Sequence, residues 1–336
     1  MQSIVIFNNK GGVGKTTLLS NLSAFLKINE KKKVLIVDAD PQCNATAYLF
    51  PFPEIDKIYE SQESKGTLYD VLRPVQRGRG YLKSALPIVG SPNFKVDVIP
   101  GDPRLSLMED FLGKDWIDGK AGDHRGLQTT LVFKDLLSKA TKYDYVIFDV
   151  GPSLGALNRA ILIACDYFLV PMSSDIFSLR AIENISLALK EWKEGIELGL
   201  SEYKRKEMEN YEIDDQPFSW NLRFIGYVTQ QYTAKTVNGT KIPVNAYEKI
   251  IKKIPGTIKR ELGPFNSSLD PSSFKLGEIP NFHSLVPLSQ NSNTPIFALQ
   301  AKDGVVGAHF NKVREYYTVI EKIANNLHNN LEVSNT

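Results

Sequence analysis

The sequence predicts an α/β fold in which a doubly wound, mostly parallel sheet carries helices on both faces. Three observations predict it. Short apolar segments rich in β-branched residues recur along the chain, helical segments separate several of them, and the first two flank an amphipathic helix. Crossovers between parallel strands are right-handed, so the order of the elements also predicts how the chain winds.

The first βαβ unit opens the chain. Residues 3–7 (SIVIF) form a short apolar segment that ends at a glycine-rich loop, and residues 33–38 (KVLIVD) form a second one. Such short apolar segments are typical of strands buried on both faces of a sheet. Between them, apolar residues recur at helical spacing from Leu18 to Leu26, which predicts a helix packed against the sheet.

The remaining elements follow the same alternation. Further strands are predicted at residues 96–100, 145–150, 167–172 and 224–228. Further helices are predicted at residues 129–140, 154–164, 178–196 and 245–254. We therefore expect one domain over residues 1–330, with an elaborated segment at about 197–275 and a disordered tail at 331–336. A separate second domain is the alternative for the elaborated segment.

The composition is that of a globular protein. Of the 336 residues, 42% are hydrophobic and 23% are charged, and the net charge is only +2, so a nucleic-acid surface would have to be a local patch. Cys43 and Cys165 lack the spacing of a zinc site or a disulfide framework. The N-terminal segment lacks the pattern of a signal peptide and no segment reaches the length of a membrane span, so we expect a cytoplasmic protein without a membrane partner.

The loop between the first strand and the first helix predicts a phosphate-binding site. Its sequence is KGGVGKTT at residues 10–17, and its glycines let backbone N–H groups surround an anion at the positive end of the helix dipole. Lys15 can reach the outer phosphates, and the Thr16 hydroxyl can bind Mg²⁺. The predicted nucleotide contacts in this loop are Lys10, Gly11, Gly12, Val13, Gly14, Lys15, Thr16 and Thr17.

This loop departs from the pattern G-x-x-x-x-G-K-[ST] at its start. With Gly14-Lys15-Thr16 as its end, the pattern requires glycine at residue 9, where Asn9 stands, and Lys10 follows as an additional lysine. Spacing alone assigns this second lysine no role.

Carboxylates follow two other predicted strands. Asp149 comes at the end of YVIFD, the position of the acidic residue of a Walker B motif that binds Mg²⁺ directly or through water. Asp38 and Asp40 come at the end of the second strand, where a carboxylate can position water, bind a metal-bound water or cap the next turn. The spacing leaves these roles open. Ser153 is the expected cap of the helix that follows Asp149. Together, the loop and the carboxylates predict a nucleoside triphosphatase site.

With these motifs, the chain resembles the ParA family of partition ATPases, which belong to the deviant Walker A group of P-loop NTPases and are related to MinD. The resemblance is carried by residues 10–17, 34–46, 67–72, 143–155 and 294–313. It covers residues 1 to about 180 and resumes at about 276–325. The segment between, from 197 to 275, departs from the family and is longer.

The resemblance implies roles for the catalytic residues. Lys10 corresponds to the signature lysine, which crosses a sandwich dimer to the phosphates held by the other subunit, as an arginine finger does elsewhere. Asp40 corresponds to the residue that orients the attacking water, and Asp38 to a position near Thr16 and the metal shell. The implied catalytic residues are Lys10, Lys15 and Asp40, and the implied metal-site residues are Thr16, Asp40 and Asp149. Cys43 stands where the family often has glycine.

The resemblance also implies the cofactors, ATP and Mg²⁺, and an adenine site. In related proteins a proline-containing loop before the C-terminal helices packs on the base. Pro280, together with the pair Thr229 and Gln230, is the nearest match here.

The implied function is plasmid or chromosome partition. An ATP-bound homodimer would bind DNA non-specifically on the nucleoid, and a centromere-binding or other adaptor protein would stimulate its slow hydrolysis and release it. The DNA-contact candidates are Lys235, Lys241, Lys249, Lys252, Lys253, Lys259 and Arg260. A second basic stretch holds Arg73, Arg77, Arg79, Lys83 and Lys95.

Three other functions could use the same kind of nucleotide site. A membrane-positioning ATPase of the MinD type would end in a basic amphipathic helix, whereas this chain ends in a polar, asparagine-rich segment. A metallocluster carrier would need paired cysteines. An ATP-gated switch that recruits or positions a protein effector, in a mobile element or a defence system, remains open because the segment at 197–275 is unusual.

Overall fold

The computed structural model describes residues 1–60, 66–173, 175–230, 236–237, 240–241, 244–282 and 284–335, with only the backbone described between 236 and 249. Its strands are β1 Gln2–Ile6, β2 Val34–Asp38, β3 Val89–Gly90, β4 Asp97–Ile99, β5 Tyr145–Asp149, β6 Tyr167–Ser173, β7 Glu212–Ile213, β8 Gln216–Pro217, β9 Arg223–Gln230, β10 Thr236–Val237, β11 Thr240–Lys241 and β12 Lys275–Ile279.

The helices alternate with these strands along most of the chain. They are α1 Lys15–Ile28, α2 Asn44–Leu49, α3 Phe52–Glu60, α4 Leu68–Gln76, α5 Met108–Lys120, α6 His124–Thr130, α7 Val132–Ser138, α8 Ala156–Ala164, α9 Ile176–Glu207, α10 Val244–Glu261, α11 Leu285–Ser292 and α12 His309–Asn335. None of the described helices is long and apolar enough to cross a membrane.

Eight strands form one sheet in the order β12-β9-β6-β1-β5-β2-β4-β3. All neighbours run parallel except β3 and β4, which are antiparallel. The predicted fold class, a mostly parallel sheet covered by helices, is confirmed. The strands β2, β5 and β6 are buried along their whole length, as strands between two helical layers should be.

The strand register sets the position of the site. In β5, Asp149 lies opposite Ile6 of β1 on one side and opposite Asp38 of β2 on the other. Because β1, β2 and β5 end at the same edge of the sheet, the segments that follow them meet there. Ligands bind at this carboxyl edge in open α/β sheets.

Two helices differ from their predicted bounds. The segment 129–140 contains parts of α6 and α7, and the break lies at the fully buried Leu131. Thr130 donates its hydroxyl hydrogen to the Gly126 carbonyl, a bond inside α6 that bends a helix near its end. The predicted helix at 178–196 is the middle of α9, which runs on to Glu207 and ends at Met208 in the left-handed conformation. The first part of the elaborated segment is therefore helical.

The predicted disordered tail is wrong for residues 331–335, which continue α12. Leu331 and Ser334 are buried, and Asn335 accepts a 2.8 Å hydrogen bond from the Tyr167 hydroxyl. Arg223 also donates to the Ser334 carbonyl. The tail is ordered because it packs on β6 and β9, a contact that a polar sequence does not reveal.

Candidate nucleotide-binding site

The phosphate loop joins β1 to α1. Gly12 and Gly14 have φ of +71° and +68°, the left-handed region that favours glycine, and Gly14 is the N-cap residue of α1. No side chain caps this helix end, and its first turn holds no acidic residue. The first N–H groups of α1 therefore face the loop as an anion-binding site.

Lys15 begins α1 and is only 8% exposed. Its Nζ atom lies 3.4 Å from the Lys10 carbonyl, so the side chain folds back over the loop. Burial lowers the pKa of Lys15, and the nearby carboxylates of Asp149 and Asp40 partly oppose this shift. A phosphate group in the loop would favour the charged form of the lysine.

Thr16 and Asp149 form the best-defined contact of the site. The Thr16 hydroxyl donates a 2.7 Å hydrogen bond to Asp149 Oδ2. Asp149 Oδ1 is buried and has no hydrogen-bond partner among the described residues. Burial, and then the charge of neighbouring Asp38, raise the pKa of Asp149. An unpartnered buried carboxylate oxygen is unfavourable unless a cation or a donor satisfies it.

Thr16 and Asp149 are suited to bind a Mg²⁺ ion that also contacts a nucleotide. Asp149 and Thr16 would hold the ion, which would neutralise phosphate charge when bound. Among the described residues, no group of three His, Cys, Asp or Glu side chains could hold a metal ion. The remaining ligands would therefore be phosphate oxygens and water, the usual arrangement for Mg²⁺ in nucleotide sites.

Asp38 is held by α2 and not by the phosphate loop. Its Oδ2 atom accepts hydrogen bonds from the Thr46 backbone N–H, at 2.7 Å, and from the Thr46 hydroxyl, at 2.6 Å. Burial raises the pKa of Asp38, and the bonds from Thr46 oppose that shift. These contacts fix the segment between β2 and α2, so Asp38 positions the residues around it.

Asp40 lies in that segment and lines the larger of two cavities beside the phosphate loop. It is 7% exposed, and its Oδ1 atom accepts a 3.0 Å hydrogen bond from the Gln42 N–H. The carboxylate lies against Gly151, where a Cβ atom would come within 3.4 Å of Oδ1. Asn158 fixes the turn after β5 by donating to the Gly151 carbonyl at 2.8 Å. Asp40 is therefore held against the turn that follows β5.

Cys43 explains why glycine suits this position. Its φ is 53°, in the left-handed region, and it is the N-cap residue of α2. Burial, followed by the charge of Asp38, raises the pKa of the Cys43 thiol to about 12, so the thiol is neutral. A residue other than glycine is strained in this region, so Cys43 adds strain to the turn.

Lys10 does not face its own phosphate loop. Its Nζ atom forms an ion pair with Asp175, the N-cap residue of α9, and the two side chains are 28% and 27% exposed. The same carboxyl group accepts from the N–H groups of Phe177 and Ser178. Asp175 was not among the residues predicted from the sequence. The sequence feature that could have identified Asp175 is its position just before a long helix, where aspartate is a favoured N-cap residue.

The N-terminus of α8 is capped by a side chain of another helix, α5. Glu109 of α5 accepts a 2.6 Å hydrogen bond from the Ala156 N–H, and the N-cap residue is Gly155. The prediction that Ser153 caps this helix is wrong. Ser153 lies two residues too early, although its hydroxyl accepts a hydrogen bond from the Gly155 N–H at 3.3 Å.

Two cavities meet at the phosphate loop. The larger, about 510 Å³, is lined by residues 11–17 with Asp40, Gln42, Asn44, Ala47, Tyr48, Pro152 and Gln290. The smaller, about 220 Å³, shares Gly12, Gly14 and Thr17 with it and extends to Gln230 and Pro280. The structure thus brings Pro280 and Gln230 to the loop, as the interpretation of an adenine site requires.

The basic candidates are only partly described. Lys252, Lys253 and Lys259 are exposed on α10, whereas Arg260 is paired with Glu183 and Glu261. Lys235 lies outside the described residues. The side chains of Lys241 and Lys249 also lie outside them.

A glycine-rich loop at a strand end, an open helix N-terminus and a Thr–Asp pair for Mg²⁺ define a P-loop nucleoside triphosphatase fold. The AAA domain family AAA_31 matches residues 1–201, more than half of the chain. The relatives that match include ParA proteins, so the chain belongs to the ParA family of P-loop ATPases within AAA_31.

Two curated relatives illustrate the similarity. The chain is 30% identical over 197 residues to the chromosome partitioning protein ParA of Myxococcus xanthus, covering 57% of this chain and 59% of that protein. It is 29% identical over 187 residues to a ParA family protein of Chlamydia pneumoniae, covering 55% and 64%. The chain therefore spans about three fifths of the length of these relatives.

Solved structures extend the likeness to the whole chain. Protein DIP2308 from Corynebacterium diphtheriae matches with a TM-score of 0.74 at 26% identity, over 98% of this chain and 99% of that one. A putative plasmid partition protein from Borrelia burgdorferi bound to AMPPNP matches with a TM-score of 0.57 at 18% identity, over 98% of each chain. The second likeness concerns the fold alone.

Proposed function

We propose that this chain is an ATPase that dimerises around ATP, binds DNA non-specifically as a dimer and leaves it after partner-stimulated hydrolysis, in plasmid or chromosome partition. The observation that carries the nucleotide part is the Asp149 oxygen left without a partner beside Thr16 and the open end of α1. Structures in the same fold group that were solved with ADP or an ATP analogue and magnesium support it.

Each residue of the site has a proposed task. The N–H groups of the loop and Lys15 bind the phosphates, and Thr16 with Asp149 holds the Mg²⁺ ion. Asp40, fixed by the Gln42 N–H and seated against Gly151, orients a water molecule for attack on the terminal phosphate and contacts the metal shell. Asp38 acts through Thr46 to hold Asp40 in place.

Lys10 serves the second subunit. In one chain the charge of Lys10 is neutralised by Asp175, the N-cap residue of α9. A lysine held in this place is available to a partner that approaches the same face. The partner's phosphates would then compete with Asp175 for Lys10, and hydrolysis would end the competition by removing the terminal phosphate.

DNA binding is proposed for the exposed face of α10. Lys252 and Lys253 are exposed neighbours that form no ion pair with the described residues. Lys259, two turns on, is exposed as well. Contacts of this kind bind phosphates without reading bases, and two copies in a dimer would double their number.

DNA binding is tested by fluorescence anisotropy with a random duplex, in ATP and in ADP, across a salt series. We expect binding in ATP only, with a steep dependence on salt. In the double variant Lys252→Ala, Lys253→Ala, the slope should become shallower by about 0.9 for each phosphate that the protein no longer binds. The control removes two exposed lysines from α12, Lys312→Ala with Lys322→Ala, and should keep the wild-type slope.

Binding that is equal in ATP and ADP, or absent in both, would contradict the DNA part of the proposal. Absence in both would favour the alternative, an ATP-gated switch that recruits a protein effector.

A further inference from the structure

Glu109 of α5 connects that helix to the start of α8, the helix that follows the turn after β5. Its Oε2 atom accepts hydrogen bonds from the Ala156 N–H, at 2.6 Å, and from the Leu157 N–H, at 3.3 Å. A carboxylate at this place satisfies N–H groups that have no partner inside the helix, and it interacts favourably with the positive end of the helix dipole. Glu109 therefore holds the first turn of α8 from a different helix.

The N-cap residue of α8, Gly155, leaves the space that Glu109 fills. A Cβ atom built on Gly155 would lie 2.8 Å from both carboxylate oxygens of Glu109. The φ of −76° and ψ of 177° at Gly155 are ordinary for an N-cap residue, so other residues could adopt this backbone conformation. Glycine at this position therefore provides room for a carboxylate from α5.

Arg159, one turn further along α8, adds a second contact between the same two helices. Its guanidinium lies 4.6 Å from the centre of the Trp116 ring of α5. Burial lowers the pKa of Arg159 to about 10, and the negative charge of Glu109, followed by that of Glu191, opposes this shift. The arginine and the helix end thus both attract the carboxylate of Glu109.

The start of α8 in turn fixes the turn that lies against Asp40. Asn158, which is 2% exposed, donates from Nδ2 to the carbonyl oxygens of Gly151 and Ser153, each at 2.8 Å. Gly151 lies against the Asp40 carboxylate, and Pro152 lines the larger cavity. A displacement of the first turn of α8 would therefore change the space around Asp40.

The segment that leads into α5 is tied to the turn after β2. The Gly101 N–H donates a 2.9 Å hydrogen bond to the hydroxyl of Thr46, the residue that also holds Asp38. The chain then continues through a short 3₁₀ helix into α5. One segment thus contacts the turn after β2 at its start and holds α8 through Glu109 at its end.

We propose that Glu109 is a positioning residue for ATP hydrolysis, which holds the first turn of α8 from α5 and thereby keeps the turn after β5 against Asp40. This inference rests on the proposed ATPase function and adds to it a residue that lines neither of the two cavities at the phosphate loop. Because the role is positional, loss of Glu109 should slow the reaction and leave ATP binding by the phosphate loop almost unchanged.

The test compares Glu109→Ala with Glu109→Gln, which keeps an oxygen acceptor for the Ala156 N–H. Single-turnover hydrolysis and ATP affinity are measured on the whole chain in Mg²⁺. We expect Glu109→Ala to lower the hydrolysis rate about 10-fold or more, because small displacements of reacting groups are costly, and to change ATP affinity less than about twofold. Glu109→Gln should keep most of the wild-type rate.

Asp110→Ala is the matched control. Asp110 is the other acidic residue in the first turn of α5, and it is exposed. The control removes the same charge from the same helix end and leaves the bonds from Glu109 to α8 in place, so its hydrolysis rate should equal that of the wild type. A rate lowered as much as in Glu109→Ala would assign the effect to the charge of α5 and overturn the inference.

Adding Gly155→Ser to Glu109→Ala separates positioning from capping. The serine gives α8 an N-cap of its own in the space that Glu109 leaves, so the melting temperature should return close to the wild-type value. The hydrolysis rate should stay low, because α5 still does not hold α8. Recovery of the rate together with the melting temperature would mean that Glu109 only caps the helix, and it would overturn the inference. A wild-type rate in Glu109→Ala itself, or a loss of ATP affinity as large as the loss of rate, would do the same.

Hydrogen exchange distinguishes a failure of this inference from a failure of the proposed function. Without nucleotide, residues 150–158 should exchange faster in Glu109→Ala than in the wild type or in Asp110→Ala. Unchanged exchange would overturn the inference, since Glu109 would then not hold the turn. A wild-type protein that does not hydrolyse ATP would refute the proposed ATPase, and the exchange measurement would still show whether Glu109 holds the turn.

Discussion

Lys10 and Asp175 form an ion pair within one chain, and the same aspartate caps the helix α9. The pair joins the phosphate loop to a helix that begins far along the sequence, since its two members are 165 residues apart. The lysine that we propose to act on a partner's nucleotide is thereby held, in the single chain, by a carboxylate of its own. The pair adds a free-energy cost to any dimer in which Lys10 must leave Asp175.

Asp175→Asn tests that cost. Asparagine is a good N-cap residue, so α9 should keep its start and the melting temperature should stay close to that of the wild type. The ATP-dependent dimer should form at concentrations lower by up to about 30-fold, since each dimer breaks two such pairs and a partly exposed ion pair contributes at most about 1 kcal/mol.

Asp175→Ala is the matched control, because it removes the cap as well as the charge and should lower the melting temperature. Sedimentation velocity in ATP and Mg²⁺ measures the dimer. A higher dimerisation concentration for Asp175→Asn would show that Asp175 supports the dimer instead of competing with it.

Substitutions of Asp38 and Asp40 should affect different properties, the first stability and the second turnover. Asp40→Asn should reduce ATP turnover by at least about 100-fold and keep ATP affinity, because the carboxylate acts on water in the reaction. Asp38→Ala should lower the free energy of unfolding by about 2 kcal/mol, because the buried donors of Thr46 lose their acceptor. Turnover assays and urea denaturation distinguish the two. The assignment fails if Asp38→Ala leaves stability unchanged, or if Asp40→Asn hydrolyses ATP normally.

Alanine substitutions at Gly12 and Gly14 can be compared directly with each other. Both have positive φ, so alanine at either position should cost about 1 kcal/mol of stability through backbone strain. Only at Gly14 would the added Cβ atom collide with Gln230, at 2.0 Å, whereas nothing lies within 4 Å of a Cβ atom at Gly12. Because the colliding atoms are the end of a flexible side chain, Gly14→Ala should displace the Gln230 amide at little further cost in stability, and it should lose more ATP affinity than Gly12→Ala. Equal losses of ATP affinity in calorimetry would contradict a role of the Gln230 side chain in nucleotide binding.

Asp149→Asn tests the metal site. The variant keeps an acceptor for the Thr16 hydroxyl but lacks the charge that a divalent ion requires. Without metal, the variant should be as stable as the wild type or more stable, since a buried carboxylate is replaced by a neutral amide. The additional melting-temperature shift that Mg²⁺ gives to the ATP complex should disappear. A full Mg²⁺-dependent shift in Asp149→Asn would place the ion elsewhere.

The sequence predicted those parts of the site that follow from local patterns. The phosphate loop and Asp149 come directly after apolar strands, and the parallel register then brings them to one edge of the sheet. The strand β12 was missed because KLGEI mixes charges and glycine, as an edge strand tolerates. Asp175 was missed for another reason: it meets Lys10 through a contact that spans 165 residues of sequence, which periodicity does not record.

The proposed action of Lys10 on a partner's nucleotide is tested by turnover in a mixture of Lys10→Ala and Asp40→Asn chains. Each variant alone should be inactive, the first for lack of a lysine in trans and the second for lack of Asp40. In a mixed dimer, the Lys10→Ala chain keeps its own Asp40 and receives Lys10 from its partner, so one complete site is restored.

An equal mixture should recover up to about a quarter of the wild-type rate, since half of the dimers are mixed and each holds one complete site. Recovery should depend on ATP and rise with total protein concentration. A mixture as inactive as its two components would contradict the proposal, because it would mean that Lys10 acts only on the nucleotide of its own chain.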